Sequence, residues 1–178
     1  IQRLSIEFAI ALTRFIDGKV LLVHPQSGKK RSAEVLQTPE LFGWSDIVDG
    51  KCQYRDVVQR TSIDRLSILN YGIPKRRSTS ATADVEQDIT IQTISATLRV
   101  LKKDYEFVVF QLPSVTHDVT ALLLASQLDG VVVVIDHRSV RMSQVKQFVE
   151  FLGFHNVHVV GAVMNKYRHF LPSFLRRK

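Results

Sequence analysis

The chain has 178 residues, of which 45% are hydrophobic and 23% charged, with a net charge of +7. That is enough apolar material for one domain with a buried core, and no apolar run approaches the roughly 20 residues that span a bilayer. Cys52 is alone, which excludes an internal disulfide and a Cys-rich zinc site, and the six His show no HExxH or HxxxH pairing.

In chain order, Arg3 to Phe15 places Leu4, Phe8, Ala11, Leu12 and Phe15 at helical spacing. Asp17-Gly18-Lys19 is a turn, and Val20-Leu21-Leu22-Val23 is a short apolar strand stopped by His24-Pro25. A short helix is expected over 31–41, another small helical unit from Trp44 to Val48 closed by Asp49-Gly50, and a further turn or two over Tyr54 to Gln59. Leu66 to Leu69 reads as the second strand, and the Ser-, Thr-, Lys- and Arg-rich residues 73–84 as a mobile surface loop. Asp88 to Lys103 is an amphipathic helix carrying Ile91, Ile94, Leu98 and Leu101, followed by a strand over Phe107 to Phe110. The remainder alternates again: helix from Asp118 to Leu128, strand from Val131 to Ile135, helix from Ser143 to Leu152 with Val145, Phe148, Val149 and Leu152 on one face, and strand from Val157 to Met164.

Helices alternating with apolar strands that lack period-2 patterning predict an α/β fold, with a mostly parallel sheet flanked by helices on both faces. In such sheets ligands sit at the carboxyl edge of the strands. Here that edge comprises His24 to Gln26, Asn70 to Ile73, Gln111 to Val115, Asp136 to Ser139 and Asn165 to Arg168.

Six segments, in order, carry a family resemblance. They are Phe8 to Val23, Gly43-Trp44-Ser45-Asp46-Ile47-Val48-Asp49-Gly50, Leu66 to Gly72, Tyr105 to Pro113, Leu128 to Val134, and Gly161-Ala162-Val163-Met164-Asn165-Lys166. Together they resemble the cytoplasmic domain of bacterial tyrosine kinases (BY-kinases), which belong to the ParA/MinD group of P-loop ATPases and work in capsule and exopolysaccharide export. The resemblance implies one domain over residues 1–178, with its first strand and P-loop upstream of Ile1.

The departures from the family fall on the chemistry. The motif G-x-x-x-x-G-K-[ST], whose backbone N–H groups cradle phosphates, does not occur. The Asp-x-Asp of the Walker A′ segment corresponds to His24-Pro25-Gln26, and the Walker B Asp corresponds to Gln111. An amide or imidazole does not supply the negative oxygen that a hard cation prefers, and phosphoryl transfer depends on that cation. The resemblance therefore implies a protein with no catalytic residues and no resident metal or cofactor. Asp118 reads as a helix cap and Asp136 as a strand-end residue rather than as replacement acids. Asn165 matches the position that contacts the base in related ATPases.

At the C-terminus, Phe170, Leu171, Phe174 and Leu175 recur at helical spacing beside Arg176, Arg177 and Lys178. This tail fits contact with an anionic membrane surface or with a partner. No nucleic-acid motif accompanies the basic clusters, so nucleic acid is disfavoured. The expected role is that of a catalytically defective, cytoplasmic partner or regulator of an inner-membrane polysaccharide co-polymerase or another export-complex protein, with homo-oligomers left open. Two alternatives stand beside it. One is an active ATPase or tyrosine autokinase, using ATP and Mg²⁺, with its P-loop upstream of Ile1; the other is a MinD/ParA-like positioning protein bound to a membrane surface.

Overall fold

The computed structural model describes residues 2–24, 42–72, 83–116, 118–137 and 140–165. Gln26, the helix expected over 31–41, the loop over 73–82 and the tail residues Phe170, Leu171, Phe174, Leu175, Arg176, Arg177 and Lys178 lie outside them. The elements are α1 (Gln2–Phe15), β1 (Val20–His24), α2 (Trp44–Val48), α3 (Tyr54–Val57), β2 (Gln59–Arg60), β3 (Leu66–Asn70), α4 (Ala83–Asp104), β4 (Phe107–Phe110), α5 (Val119–Ser126), β5 (Val131–Asp136), α6 (Met142–Phe154) and β6 (Val159–Asn165). The chain divides into two compact units, one holding residues 2–127 and the other running from Leu128 onward.

In the first unit a four-stranded sheet has the order β2-β3-β1-β4. β1 runs parallel to both β3 and β4, and the short β2 is antiparallel to β3. β1 is buried along its whole length. Its unbroken run Val20-Leu21-Leu22-Val23 is what a strand with neighbours on both edges and both faces requires. β2 escaped the sequence reading because two residues carry no periodic signal. α4 also begins earlier than expected, at Ala83, so the loop reading of 83–84 is corrected. Its buried residues Ile94, Leu98 and Leu101 are those the helical spacing selects.

The orientation of α1 differs from the sequence expectation. Ala9 and Thr13 are buried, and Ile6, Ile10, Leu12 and Ile16 pack against the core cluster formed by Ala9, Val20, Leu22, Leu66 and Ile68. Of the stripe read from the sequence, Phe8 is 49% exposed and Phe15 86% exposed. α1 is apolar on two sides, so periodicity establishes a helix without selecting its buried face. The small Ala9 side chain lies on the face that meets β1. The helix is closed by Arg65, which sits at φ 62° and donates to the carbonyls of Ile16 (2.7 Å) and Thr13 (2.9 Å). A cation bonding the last carbonyls favours a helix C-terminus.

In the second unit β5 and β6 form a parallel pair with a register irregularity between Val131 and Val132. α6 packs on β6, and Leu152, Val157 and Val133 are its buried apolar residues. Val149, expected on the buried face of α6, is 38% exposed. No helix among the described residues is long and apolar enough to cross a membrane.

Candidate functional site

The carboxyl ends of β1, β3 and β4 bring three polar side chains into the protein interior. His24 and Asn70 are register partners at the last positions of β1 and β3, and Val23 pairs with Phe110, which sets Gln111 beside them. Their exposures are 4% for His24, 8% for Asn70 and 9% for Gln111. Backbone bonds extend each ladder one step past its strand: Gln111 N–H donates to the Val23 carbonyl (2.8 Å) and Tyr71 N–H to the His24 carbonyl (2.9 Å). The row is therefore built into the sheet.

α1 reaches this row with its first turn. Ser5 Oγ donates to Gln111 Oε1 at 2.8 Å. The amide oxygen accepts a hydrogen bond inside the protein, which offsets most of the cost of burying it. A carboxylate at the same depth would need a cation or several donors. An amide oxygen already accepting a hydrogen bond and an imidazole make a poor donor set for Mg²⁺, which prefers anionic or water oxygens in a tight octahedron. Among the described residues, no group of three or more His, Cys, Asp or Glu is placed to hold a metal ion.

A second layer backs the row. Gly43 lies so close to the end of β3 that a Cβ there would come within 2.2 Å of the Gly72 nitrogen and 2.5 Å of the Asn70 carbonyl oxygen. Gly72 has φ +81°, and its own Cβ would meet Ser45 Oγ at 2.5 Å. Ser45 N–H donates to the Tyr71 carbonyl (3.0 Å), and Asp46 Oδ2 accepts from Gly43 N–H (3.1 Å). Lys51 pairs with Asp46 (3.4 Å) and with Asp49. Trp44, 2% exposed, sets its ring edge-on to Phe110, with centroids 4.8 Å apart and planes at 76°. The segment from Gly43 to Gly50 is thus a clamp that holds the carboxyl ends of β3 and β4.

Tyr71 extends this layer. Burial, with a smaller contribution from the negative charge of Asp118, pushes its phenol up to about 12. The hydroxyls of Tyr71 and Ser45 are buried without a hydrogen-bond partner among the described residues. Asp118 caps α5, its side chain accepting from Ala121 N–H at 3.0 Å, as the sequence predicts.

The other two strand ends belong to the second unit. Asp136 and Asn165 are register partners at the ends of β5 and β6, and His137 N–H donates to the Asn165 carbonyl (3.2 Å). The structure thus gathers His24, Asn70 and Gln111 within the first unit, and Asp136 with Asn165 within the second. Ser5 was missed from sequence. A Ser in the first turn of an amphipathic helix carries no signal until the fold sets it against Gln111.

No family model matches the chain. CapB of Staphylococcus aureus, described as a tyrosine-protein kinase, is 24% identical over 148 residues, covering 83% of this chain and 62% of CapB. The chain therefore spans less than two thirds of that relative's length. Three solved structures are similar. The chimerical protein CapA2B2 gives a TM-score of 0.72 at 20% identity over 93% of this chain and 70% of its own. The VpsO kinase domain gives 0.70 at 20% identity over 92% of this chain and 77% of its own. The MinD cell division protein of Aquifex aeolicus gives 0.64 at 15% identity over 92% of this chain and 62% of its own. At these identities the likeness shows the fold alone: an α/β arrangement with a mostly parallel sheet.

Proposed function

We propose, on the fold shared with bacterial tyrosine kinase domains and MinD-type ATPases, that this chain is a BY-kinase-like protein of bacterial capsule or exopolysaccharide systems that has lost metal-dependent phosphoryl transfer. The single observation that carries this reading is the hydrogen bond from Ser5 to Gln111 at the end of β4. Gln111 stands where the family resemblance expects the Walker B acid, and its carbonyl oxygen is spent on a neighbouring helix. His24, at the expected Walker A′ position, is equally buried. An imidazole and two amides lack the anionic oxygens on which Mg²⁺-dependent phosphoryl transfer rests, which favours a binding role over catalysis.

The partner that fits is the cytoplasmic portion of a membrane co-polymerase or another protein of the export complex. The sequence similarity to CapB supports this context. The protein then acts as a cytoplasmic binding or regulatory component at the inner membrane.

Calorimetric titration of the full-length protein with ATP and Mg²⁺ tests the reading. No Mg²⁺-dependent heat at micromolar nucleotide is expected, together with co-purification of an export-complex protein. Micromolar, Mg²⁺-dependent binding would sink the proposal in favour of an active ATPase or autokinase.

A further inference from the structure

We propose that the guanidinium of Arg55 is a fixed anchor for a carboxylate on an acidic segment of a partner protein. Asp104, which holds the anchor, lies just before β4, at the opposite end of the first sheet from His24, Asn70 and Gln111. The inference therefore stands whether or not that row binds nucleotide.

Three side chains from two helices build the anchor. Tyr54 and Arg55 are the first residues of α3, and Asp104 is the last residue of α4. Tyr54 Oη donates to Asp104 Oδ2. Arg55 Nε donates to Tyr54 Oη (2.9 Å), and Arg55 Nη2 donates to Asp104 Oδ2 (3.2 Å). The guanidinium carbon lies 5.6 Å from the centroid of the Tyr54 ring, within range of a cation–π contact. The hydrogen bonds from Tyr54 and Arg55, with the charges of Arg55 and Lys19, hold the Asp104 carboxyl below its usual range. Asp104 thus stays anionic and keeps the guanidinium in place.

This arrangement leaves one defined edge of the guanidinium open. An Arg side chain carries five N–H donors in a planar fork. The edge made by Nε and Nη2 is turned onto Tyr54 and Asp104. The edge made by Nη1 and Nη2 has no partner among the described residues, and the side chain is 71% exposed. Two parallel N–H groups at an exposed edge match the two oxygens of a carboxylate.

A free surface Arg loses rotamer freedom when it binds, and Arg55 has given up much of that freedom already. Tyr and Arg are also the residue types that dominate the energetic centres of protein interfaces. Lys19 acts on Asp104, and Lys102 and Lys103 stand in the last turn of α4. Asp56 and Glu106 follow in the same two stretches of chain, so the local excess of positive charge is small. That suits a carboxylate within a protein interface better than a nucleic-acid backbone or an anionic bilayer, both of which call for several cations.

Solution NMR of the isotope-labelled full-length protein tests the anchor, following the Arg Nε–Hε signals and the backbone amides. The probe is hexaglutamate, with hexaglutamine as the control. A saturable shift of the Arg55 Nε–Hε signal is expected, with the amides of Tyr54 to Val57 moving alongside it, and no response to hexaglutamine. Arg55→Lys keeps the charge and loses the fork, and should weaken binding about fivefold or more, the worth of one hydrogen bond. Tyr54→Phe releases the inner edge of the guanidinium and should weaken binding by a smaller factor. Equal affinity of Arg55→Lys overturns the proposal, because charge alone then suffices. Shifts confined to Lys29, Lys30 and Arg31 or to Arg176, Arg177 and Lys178 overturn it as well, as does an equal response to hexaglutamine. The map of shifts in the parent protein decides the location even if a variant fails to fold.

Discussion

Ser5 Oγ and Gln111 Oε1, 106 residues apart in sequence and 2.8 Å apart in space, tie the first turn of α1 to the carboxyl end of β4. The bond makes Gln111 an internal structural group. Ser5→Ala should cost about 1 kcal/mol, the usual worth of one such hydrogen bond. Urea denaturation of the variant beside the parent protein measures the difference.

Gln111→Glu probes the site more sharply. It keeps the chain length and places a carboxylate at a position 9% exposed. An unpaired buried charge should cost on the order of 2–3 kcal/mol at neutral pH. Burial raises the folded-state pKa of such a group above its unfolded value. The lost stability should therefore return as pH falls and the carboxyl takes up its proton. Urea denaturation at neutral and mildly acidic pH, with and without millimolar Mg²⁺, checks this. Rescue by Mg²⁺ would show that one acid is enough to rebuild a metal site, against the proposed function.

The clamp around Gly43 and Gly72 yields a graded prediction. Gly72→Ala places a Cβ on a residue at φ +81° and against Ser45 Oγ, a side-chain atom able to rotate away. It should cost about 1–2 kcal/mol. Gly43→Ala drives a Cβ into backbone atoms of Gly72 and Asn70. These cannot move without breaking the end of β3, and the loss should exceed about 2 kcal/mol. Thermal unfolding of the two variants side by side gives the order.

Trp44 is the sole tryptophan of the chain and packs on Phe110, one residue before Gln111. Its fluorescence reports directly on the end of β4. Trp44→Phe should be tolerated at a loss of about 1–2 kcal/mol, whereas Trp44→Ala should cost about 3–5 kcal/mol through the cavity it leaves. In the parent protein, binding of a partner at this edge should shift the Trp44 emission, and a ligand bound elsewhere should leave it unchanged.

Tyr71 predicts an alkaline limb in the stability curve. Its folded-state pKa, pushed up to about 12, lies above the unfolded value near 10. The unfolded chain therefore releases this proton first. The stability contributed by the neutral phenol is complete below pH ~10 and is lost as pH rises through ~12, at most about 2–3 kcal/mol. Tyr71→Phe should flatten this limb. Denaturant titrations between pH 9 and 12, monitored by Trp44 fluorescence, read both curves; an unchanged slope in the variant would assign the effect to another group.

Much of the fold was legible in the sequence because its signals are local. Val20 to Val23 and Phe107 to Phe110 are apolar runs, and Leu66 to Leu69 is a largely apolar one, all too short for helices, and each lies in a strand. Asp118 precedes an apolar run and caps it. Gln111 and His24 could be picked out as strand-end residues from order and spacing alone. What stayed hidden depends on which surface meets which. α1 has two apolar sides, and only its seating on β1 and β3 decides that Ala9 and Thr13 are buried while Phe15 stands 86% exposed. Ser5 becomes a site residue only when that seating places it against Gln111. The nearness of Gly43 to Gly72 belongs to no segment of the chain taken singly. The elements and the chemistry at the strand ends follow from the order of residues, because periodicity and residue type act over a few positions. Which polar groups are buried together follows only from the folded arrangement, because burial is a property of surfaces brought into contact.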